Sequence, residues 1–239
     1  MNENLIEINC YSNQLTFLPP LNENLIILYC GNNQLTFLPH LNKNLELLNC
    51  HSNQLTSLPP LNENLKRLYC YNNRLTSLPP LNENLMGLYC KDNKLTSLPH
   101  LNENLKTLVC YSNKLTSLPP LNENLIILYC SNNQLTFLPY LNENLKKLKW
   151  NKNSIYDLLI SIIDLDGEID LKNDLRKLNK ILKIINKFRS FYYHLKFKKN
   201  FIKWLWKSRE KQIAEKYHPK YLLVYLEENT DLDEFLDNW

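Results

Sequence analysis

A unit of 20 residues recurs, with no insertion or deletion, from the first residue to about Trp150. Copies begin at Met1, Leu21, Leu41, Leu61, Leu81, Leu101, Leu121 and Leu141. The second copy reads LNENLIILYCGNNQLTFLPH, and the shared pattern is L-N-E-N-L-x-x-L-x-C-x-x-N-x-L-T-x-L-P-x. A fixed period this short narrows the possible folds sharply. One unit cannot bury its own apolar face, so neighbours must stack and share a continuous core. Leu28 and Cys30 alternate with polar or variable residues, which is strand spacing and predicts a strand of about five residues. Asn33 follows where the chain turns inward. A buried Asn needs partners. Its recurrence at Asn13, Asn53, Asn73, Asn93, Asn113, Asn133 and Asn153 predicts an asparagine ladder. Pro19, Pro39, Pro59, Pro79, Pro99, Pro119 and Pro139 keep the return segment extended and exclude a long helix there.

The seven cysteines, Cys10, Cys30, Cys50, Cys70, Cys90, Cys110 and Cys130, fall 20 residues apart. Disulfide frameworks and zinc sites use paired, uneven spacings, so these thiols read as small buried hydrophobes in one core slot. In-register neighbours would still lie near disulfide distance, and a reducing compartment favours thiols. His40, His51 and His100 occupy two different slots and share no ligand geometry, so no metal and no cofactor is expected. MNENLIEINC has no basic region followed by an apolar run, and no window approaches a membrane span. The expected compartment is intracellular.

The pattern is that of leucine-rich repeats. It resembles the 20-residue repeats of bacterial effector proteins in Leu38-Pro39-His40-Leu41 and in Leu45-x-x-Leu48-x-Cys50-x-x-Asn53-x-Leu55. It departs from them in using N-E-N between the two leucines. The resemblance implies a leucine-rich-repeat solenoid over 1–153, with parallel strands on a concave face and an extended or 3₁₀ convex side. Some such effectors carry a ubiquitin-ligase domain after the repeats, with a nucleophilic cysteine. This chain has no cysteine beyond Cys130, and the reading is therefore not an enzyme.

Residues that flank the inward pair line the exposed strand face in three columns. The first holds Asn9, Tyr29, Asn49, Tyr69, Tyr89, Val109, Tyr129 and Lys149. The second holds Tyr11, Gly31, His51, Tyr71, Lys91, Tyr111, Ser131 and Asn151; the third starts at Glu7 and Ile27. Tyrosine combines contact area with a polar tip and is enriched where proteins recognise one another. Tyr29, Tyr69, Tyr71, Tyr89, Tyr111 and Tyr129 are therefore the candidate partner-binding residues. The plainer alternative is that these rings pack on one another across the ladder. Within one copy, Ile27, Tyr29, Gly31 and Asn32 are the variable letters in which a function would lie.

The period changes after Asn153. Trp150 replaces the cysteine in the eighth copy, as a terminal layer without a neighbour requires. Ile155, Leu158, Leu159, Ile162 and Ile163 have helical spacing, as do Leu171, Leu175, Leu178, Leu182 and Ile185. A third helix is expected over 199–217, before Pro219. Residues 154–239 thus read as an α-helical C-terminal module that packs on the last repeat. Residues 172–211 hold 14 Lys or Arg against Asp174 and Glu210, whereas 227–239 hold six acids and no base. Tyr217-His218-Pro219-Lys220-Tyr221-Leu222 and the acidic end DLDEFLDNW are similar to C-terminal tails of giant DNA virus (mimivirus-like) proteins. That resemblance implies a partner of host or viral origin and the host cytoplasm. The leading expectation is a non-catalytic protein-binding scaffold with no small-molecule substrate. The alternatives are an adaptor that recruits a host ubiquitin ligase through the helical module, and nucleic-acid or anionic-surface binding by the basic helices.

Overall fold

A computed structural model describes residues 5–154, 176 and 178–187. Eight strands follow one another at 20-residue intervals: β1 (Glu7–Asn9), β2 (Ile27–Tyr29), β3 (Leu47–Asn49), β4 (Arg67–Tyr69), β5 (Gly87–Tyr89), β6 (Thr107–Val109), β7 (Ile127–Tyr129) and β8 (Lys147–Lys149). They form one parallel sheet in sequence order. Each residue pairs with its equivalent one repeat later, as Leu28 with Leu48 and Tyr29 with Asn49. Sequence neighbours are also spatial neighbours, which defines a solenoid.

Each strand has three residues instead of the five expected. The cause lies just beyond it. Ser12, Asn32, Ser52, Asn72, Asp92, Ser112, Asn132 and Lys152 all have φ between 50° and 55°. A left-handed residue two positions after the cysteine ends the strand, and Asn and Asp, which hold four of the eight positions, tolerate it better than most side chains. Asn32 is therefore no free functional letter. It makes the turn, and its amide donates to Ser12 Oγ at 2.8 Å. Inter-turn bonding outlasts the strand, because Cys30 N–H still reaches Asn49 O at 2.8 Å and Asn32 N–H reaches His51 O at 2.8 Å.

The core is built from columns. From the second repeat to the seventh, the slots of Leu25, Leu28, Cys30 and Leu35 are all but sealed from solvent. Burying one leucine contributes roughly 2 kcal/mol, so the columns carry most of the stability. The expected asparagine ladder is present. Asn53 Nδ2 donates to Cys30 O, Cys50 O and His51 O at 3.0–3.1 Å, and its Oδ1 accepts from Leu35 N–H at 2.9 Å.

The N-E-N departure from the effector pattern supplies two more ladders. Asn42 donates to Asn22 O at 2.6 Å, Asn122 to Asn102 O at 2.6 Å and Asn142 to Asn122 O at 2.8 Å. Two residues further along the segment, Asn44, Asn64, Asn84, Asn104, Asn124 and Asn144 donate to the backbone of the preceding repeat at 2.7–2.9 Å. The return side is extended, with a single tight turn at the E-N step and no 3₁₀ segment among the described residues.

All seven cysteines are free thiols, six of them buried and Cys10 half-buried. Burial pushes the Cys50, Cys90 and Cys130 thiols up to about 12, and raises Cys70 and Cys110 well above the usual thiol range. They are inert core atoms, as the 20-residue spacing implied.

At the last repeat Trp150 fills the cysteine slot with only 2% of its surface exposed. Asn153 closes the ladder on Cys130 O at 3.1 Å and Trp150 O at 2.6 Å. Residues 178–187 are helical. Leu178, Ile181, Leu182 and Ile184 are buried, so the buried stripe includes two residues beside those the spacing picked out, while Ile185 is half-buried. Residues 178–182 belong to the same compact unit as the repeats. Asn179 brackets Leu141: its Oδ1 accepts the Leu141 N–H at 3.0 Å and its amide donates to Leu141 O at 2.6 Å. Arg176 lies 3.7 Å from Glu143. The helices expected over 155–163 and 199–217, most of the basic stretch and the acidic tail lie outside the described residues.

Candidate recognition face

Positions 7, 9 and 11 of each repeat point away from the core, and together they form the solvent face of the sheet. The six candidate tyrosines all stand on it. Tyr29, Tyr69, Tyr89 and Tyr129 end β2, β4, β5 and β7, and Tyr71 and Tyr111 stand two residues beyond β4 and β6. All six are half-buried rather than free.

The structure does not hold them as one cluster. It sorts them into stacks along two columns. In the first, Tyr69 and Tyr89 lie nearly parallel, with ring centres 4.5 Å apart at 12°. Lys149 places its ammonium 5.3 Å from the Tyr129 ring. Tyr29 has only Asn9 and Asn49 beside it across the ladder. In the second column His51 stacks on Tyr71 at 4.3 Å and 8°, and Tyr11 tilts against His51 at 5.5 Å. Lys91 stands between Tyr71 and Tyr111, 4.9 Å and 5.0 Å from the two rings. Tyr11, His51, Tyr71, Lys91 and Tyr111 thus form one unbroken run of rings and a cation. Such contacts contribute about 0.5–1 kcal/mol each at partly exposed positions.

Two glycines make room for these rings, one for each column. A methyl group at Gly31 would lie 3.0 Å from His51 Cδ2 and Nε2, so only a bare backbone leaves room for the imidazole. At Gly87 a methyl would lie 3.1 Å from Tyr89 Cε2. Neither glycine has a positive φ, so both are present for space and not for turning. His51 and Lys91 were absent from the six candidate residues, and Gly31 was named only as a variable letter of its repeat. The readable signal was a small residue beside an aromatic one in a single column. A count of tyrosines does not reveal it.

Electrostatics follow from the packing. Burial raises the Tyr69 phenol, and its Tyr89 neighbour adds to the effect. Burial likewise raises Tyr71, against the opposing pull of Lys91. Contact with the Tyr111 hydroxyl holds the Lys91 ammonium above its usual range. Desolvation and the nearby Lys91 charge lower His51. The face therefore presents neutral phenols and a neutral imidazole around a fixed cation. The rings spend their faces on one another, and their edges and hydroxyls are what a partner would meet.

Beside the starts of the first strands, Ile6, Asn24, Ile26, Asn44, Glu46 and Asn64 line a shallow groove. Glu46 there is paired with Lys66 at 2.8 Å. Among the described residues no three His, Cys, Asp or Glu side chains converge, and no helix is long and apolar enough to cross a membrane.

The family described as "Leucine Rich repeats (2 copies)" matches residues 43–83. No curated protein matches the chain. Solved structures do. YopM of Yersinia enterocolitica WA-314 is 34% identical with a TM-score of 0.57 over 65% of this chain and 39% of its own. The leucine-rich effector protein YopM of Yersinia pestis is 36% identical with a TM-score of 0.56, covering 59% of this chain and 42% of its own. The leucine-rich-repeat domain of a Shigella effector is 30% identical with a TM-score of 0.61, over 70% of this chain and 79% of that domain. The chain thus spans about two-fifths of the YopM chains and most of the Shigella domain. With the parallel one-repeat register and the asparagine ladder already seen, these matches show that the chain belongs to the leucine-rich-repeat proteins.

Proposed function

We propose that the chain is a non-catalytic scaffold that binds a protein partner on the Tyr-rich face of its sheet. One observation carries the reading: architecture holds the inward slots constant through the repeats, while positions 7, 9 and 11 change from repeat to repeat. Extended solenoid faces of this kind serve as binding surfaces. Tyrosine edges and hydroxyls beside a fixed lysine suit a partner surface of mixed apolar and polar character. The binding residues in this proposal are Tyr29, Tyr69, Tyr71, Tyr89, Tyr111 and Tyr129, with His51 and Lys91 holding the second column in place.

The proposal extends to setting. The structural relatives named as effectors, and the tail similar to those of giant-virus proteins, support a host or viral protein as partner and the host cytoplasm as the place of action. In the same proposal residues 1–153 are the binding domain and 154–239 a helical module.

Site-specific photo-cross-linking in host-cell extract tests the face. A benzoylphenylalanine at Tyr89 is expected to capture a partner that the same probe at Glu103, exposed on the turn that precedes β6, does not. Combined Tyr69→Ser, Tyr71→Ser and Tyr89→Ser substitutions should abolish capture while circular dichroism stays unchanged. Capture that survives the triple substitution, or that occurs only from Glu103, would overturn the assignment.

A further inference from the structure

Charge in the repeats is sorted by slot. Slots 6 to 14 of the copies, which hold the strand and the segments entering and leaving it, carry 11 Lys or Arg against three acids, Glu7, Glu46 and Asp92. The return side shows the reverse. Glu23, Glu63, Glu83, Glu103, Glu123 and Glu143 share the third slot, all exposed on the turn that precedes a strand, and Lys43 is the one base in that slot. On the strand side Glu46 already has Lys66 at 2.8 Å, and Asp92 lies 3.7 Å from Lys91. Arg67, Arg74, Lys94 and Lys114 are exposed, and no carboxylate among the described residues comes within ion-pair distance of them.

The fold does not require these cations. Gln34 and Gln54 hold the slot of Arg74 and Lys94 in other repeats, and their N–H groups donate to Leu15 O and Leu35 O at 2.9 Å, as those of Arg74 and Lys94 do to Leu55 O and Leu75 O. Arg74, Lys94 and Lys114 follow one another in consecutive repeats, one strand spacing of about 5 Å apart at the backbone, so their charges repel. Arg67 and Lys91 stand on the sheet face of the same stretch, among Tyr69, Tyr71, Tyr89 and Tyr111. At positions 7, 9 and 11 of the repeats Glu7 is the one acid, and it lies three repeats from Arg67.

We propose that the partner of this face is an acidic protein surface, seated on repeats 4–6 with its carboxylates on Arg67, Lys91, Lys94 and the neighbouring cations of slot 14. This occupant presupposes that the Tyr-rich face binds protein, and adds the sign of the partner's charge. Charge complementarity selects it: carboxylates relieve the repulsion along slot 14, while the tyrosine edges meet the less polar part of the same surface. A nucleic-acid strand has the same sign, but its bases need open ring faces to stack on. Tyr69 and Tyr89 lie against one another between Asn49 and Val109, His51 covers Tyr71, and Lys91 occupies the faces that Tyr71 and Tyr111 turn to it. The glutamates of the third slot set an opposing field on the turns, so an acidic partner is steered to the strand side.

Photo-cross-linking from position 89 of the full chain reads this face apart from the basic stretch after the repeats. Labelled poly-glutamate and oligothymidylate are the probes. A benzoylphenylalanine at Tyr89 should capture poly-glutamate, and raising salt from about 0.05 to about 0.3 M should lower the yield roughly tenfold. Arg67→Glu combined with Lys94→Glu should lower it by a similar factor with circular dichroism unchanged, since both side chains are exposed. Lys43→Glu, in the acidic slot, should leave it as it was. No capture of poly-glutamate, capture indifferent to the double reversal, or preferential capture of oligothymidylate would each overturn the proposal. Host-cell extract separates the two readings. A partner still captured at full yield from position 89 of the doubly reversed chain would leave the face a protein-binding surface and overturn its acidic partner.

Discussion

His51 shows how single side chains organise the recognition face. Its ring is held by Tyr71 on one side and Tyr11 on the other, and it occupies space that Gly31 leaves vacant. Gly31→Ala is expected to displace the imidazole and cost about 1 kcal/mol, the low end for overpacking, because the added methyl meets a side-chain ring that can shift and not the backbone. Urea unfolding would measure the loss, and His51 ring shifts in NMR would report the broken stack. The pH response follows from the same contacts. Desolvation first, and the Lys91 charge second, hold the native His51 below the usual 6.5. As pH falls through 6.5 the unfolded chain takes up the proton before the folded one, so stability declines from there until the native ring also titrates. Subtracting the pH profile of His51→Phe, which keeps a ring in the stack, should isolate this slope. A difference that stays flat between pH 7 and 5 would show that His51 is not desolvated.

At the scale of the repeat, asparagine does the work that a longer unit would give to helices. Three ladders tie each turn to the next, and the first is the most demanding because its amides are buried between turns. Asn53→Ala would strip partners from Cys30 O, Cys50 O, His51 O and Leu35 N–H at once. A loss of about 2–4 kcal/mol is expected, against about 0.5–1 kcal/mol for the exposed Asn13→Ala. Equal midpoints in urea for the two variants would mean that the ladder is ornamental. Much of this element was legible in the residues. The columns of Leu28, Cys30 and Asn33 follow from spacing alone, because a 20-residue period admits one inward face. The left-handed turn at Asn32 was not legible, since Ser, Asn, Asp and Lys share the slot and no glycine marks it. The ladders of Asn42 and Asn44 were visible as N-E-N but were not recognised, because their acceptors are backbone carbonyls that only the register brings near. The stacks on the solvent face were half legible: the columns gave Tyr69 beside Tyr89, but the place of Lys91 between two rings depends on side-chain direction.

The whole solenoid behaves as a one-dimensional stack, so a change at one end should be felt most by the layers nearest to it. The β8 end is where the sequence announced a cap in Trp150. The structure adds Asn179, 38 residues beyond the backbone that it brackets. No local pattern links Asn179 to Leu141, because the two stand 38 positions apart and outside any shared repeat. Removing that amide by Asn179→Ala leaves the Leu141 N–H and C=O without their partner. The cost should fall on the final layer, with about 1–3 kcal/mol of local protection lost where these groups are buried. Hydrogen exchange read by mass spectrometry tests this directly. Peptides covering 142–150 should exchange about tenfold faster or more, while those covering 65–90, several layers away, should keep their native rates. The same experiment on Asn53→Ala should reverse the pattern, opening the middle and sparing the end. Uniform acceleration of all repeats by Asn179→Ala would mean that the stack unfolds as one cooperative block, and that Asn179 does not act on the final layer alone.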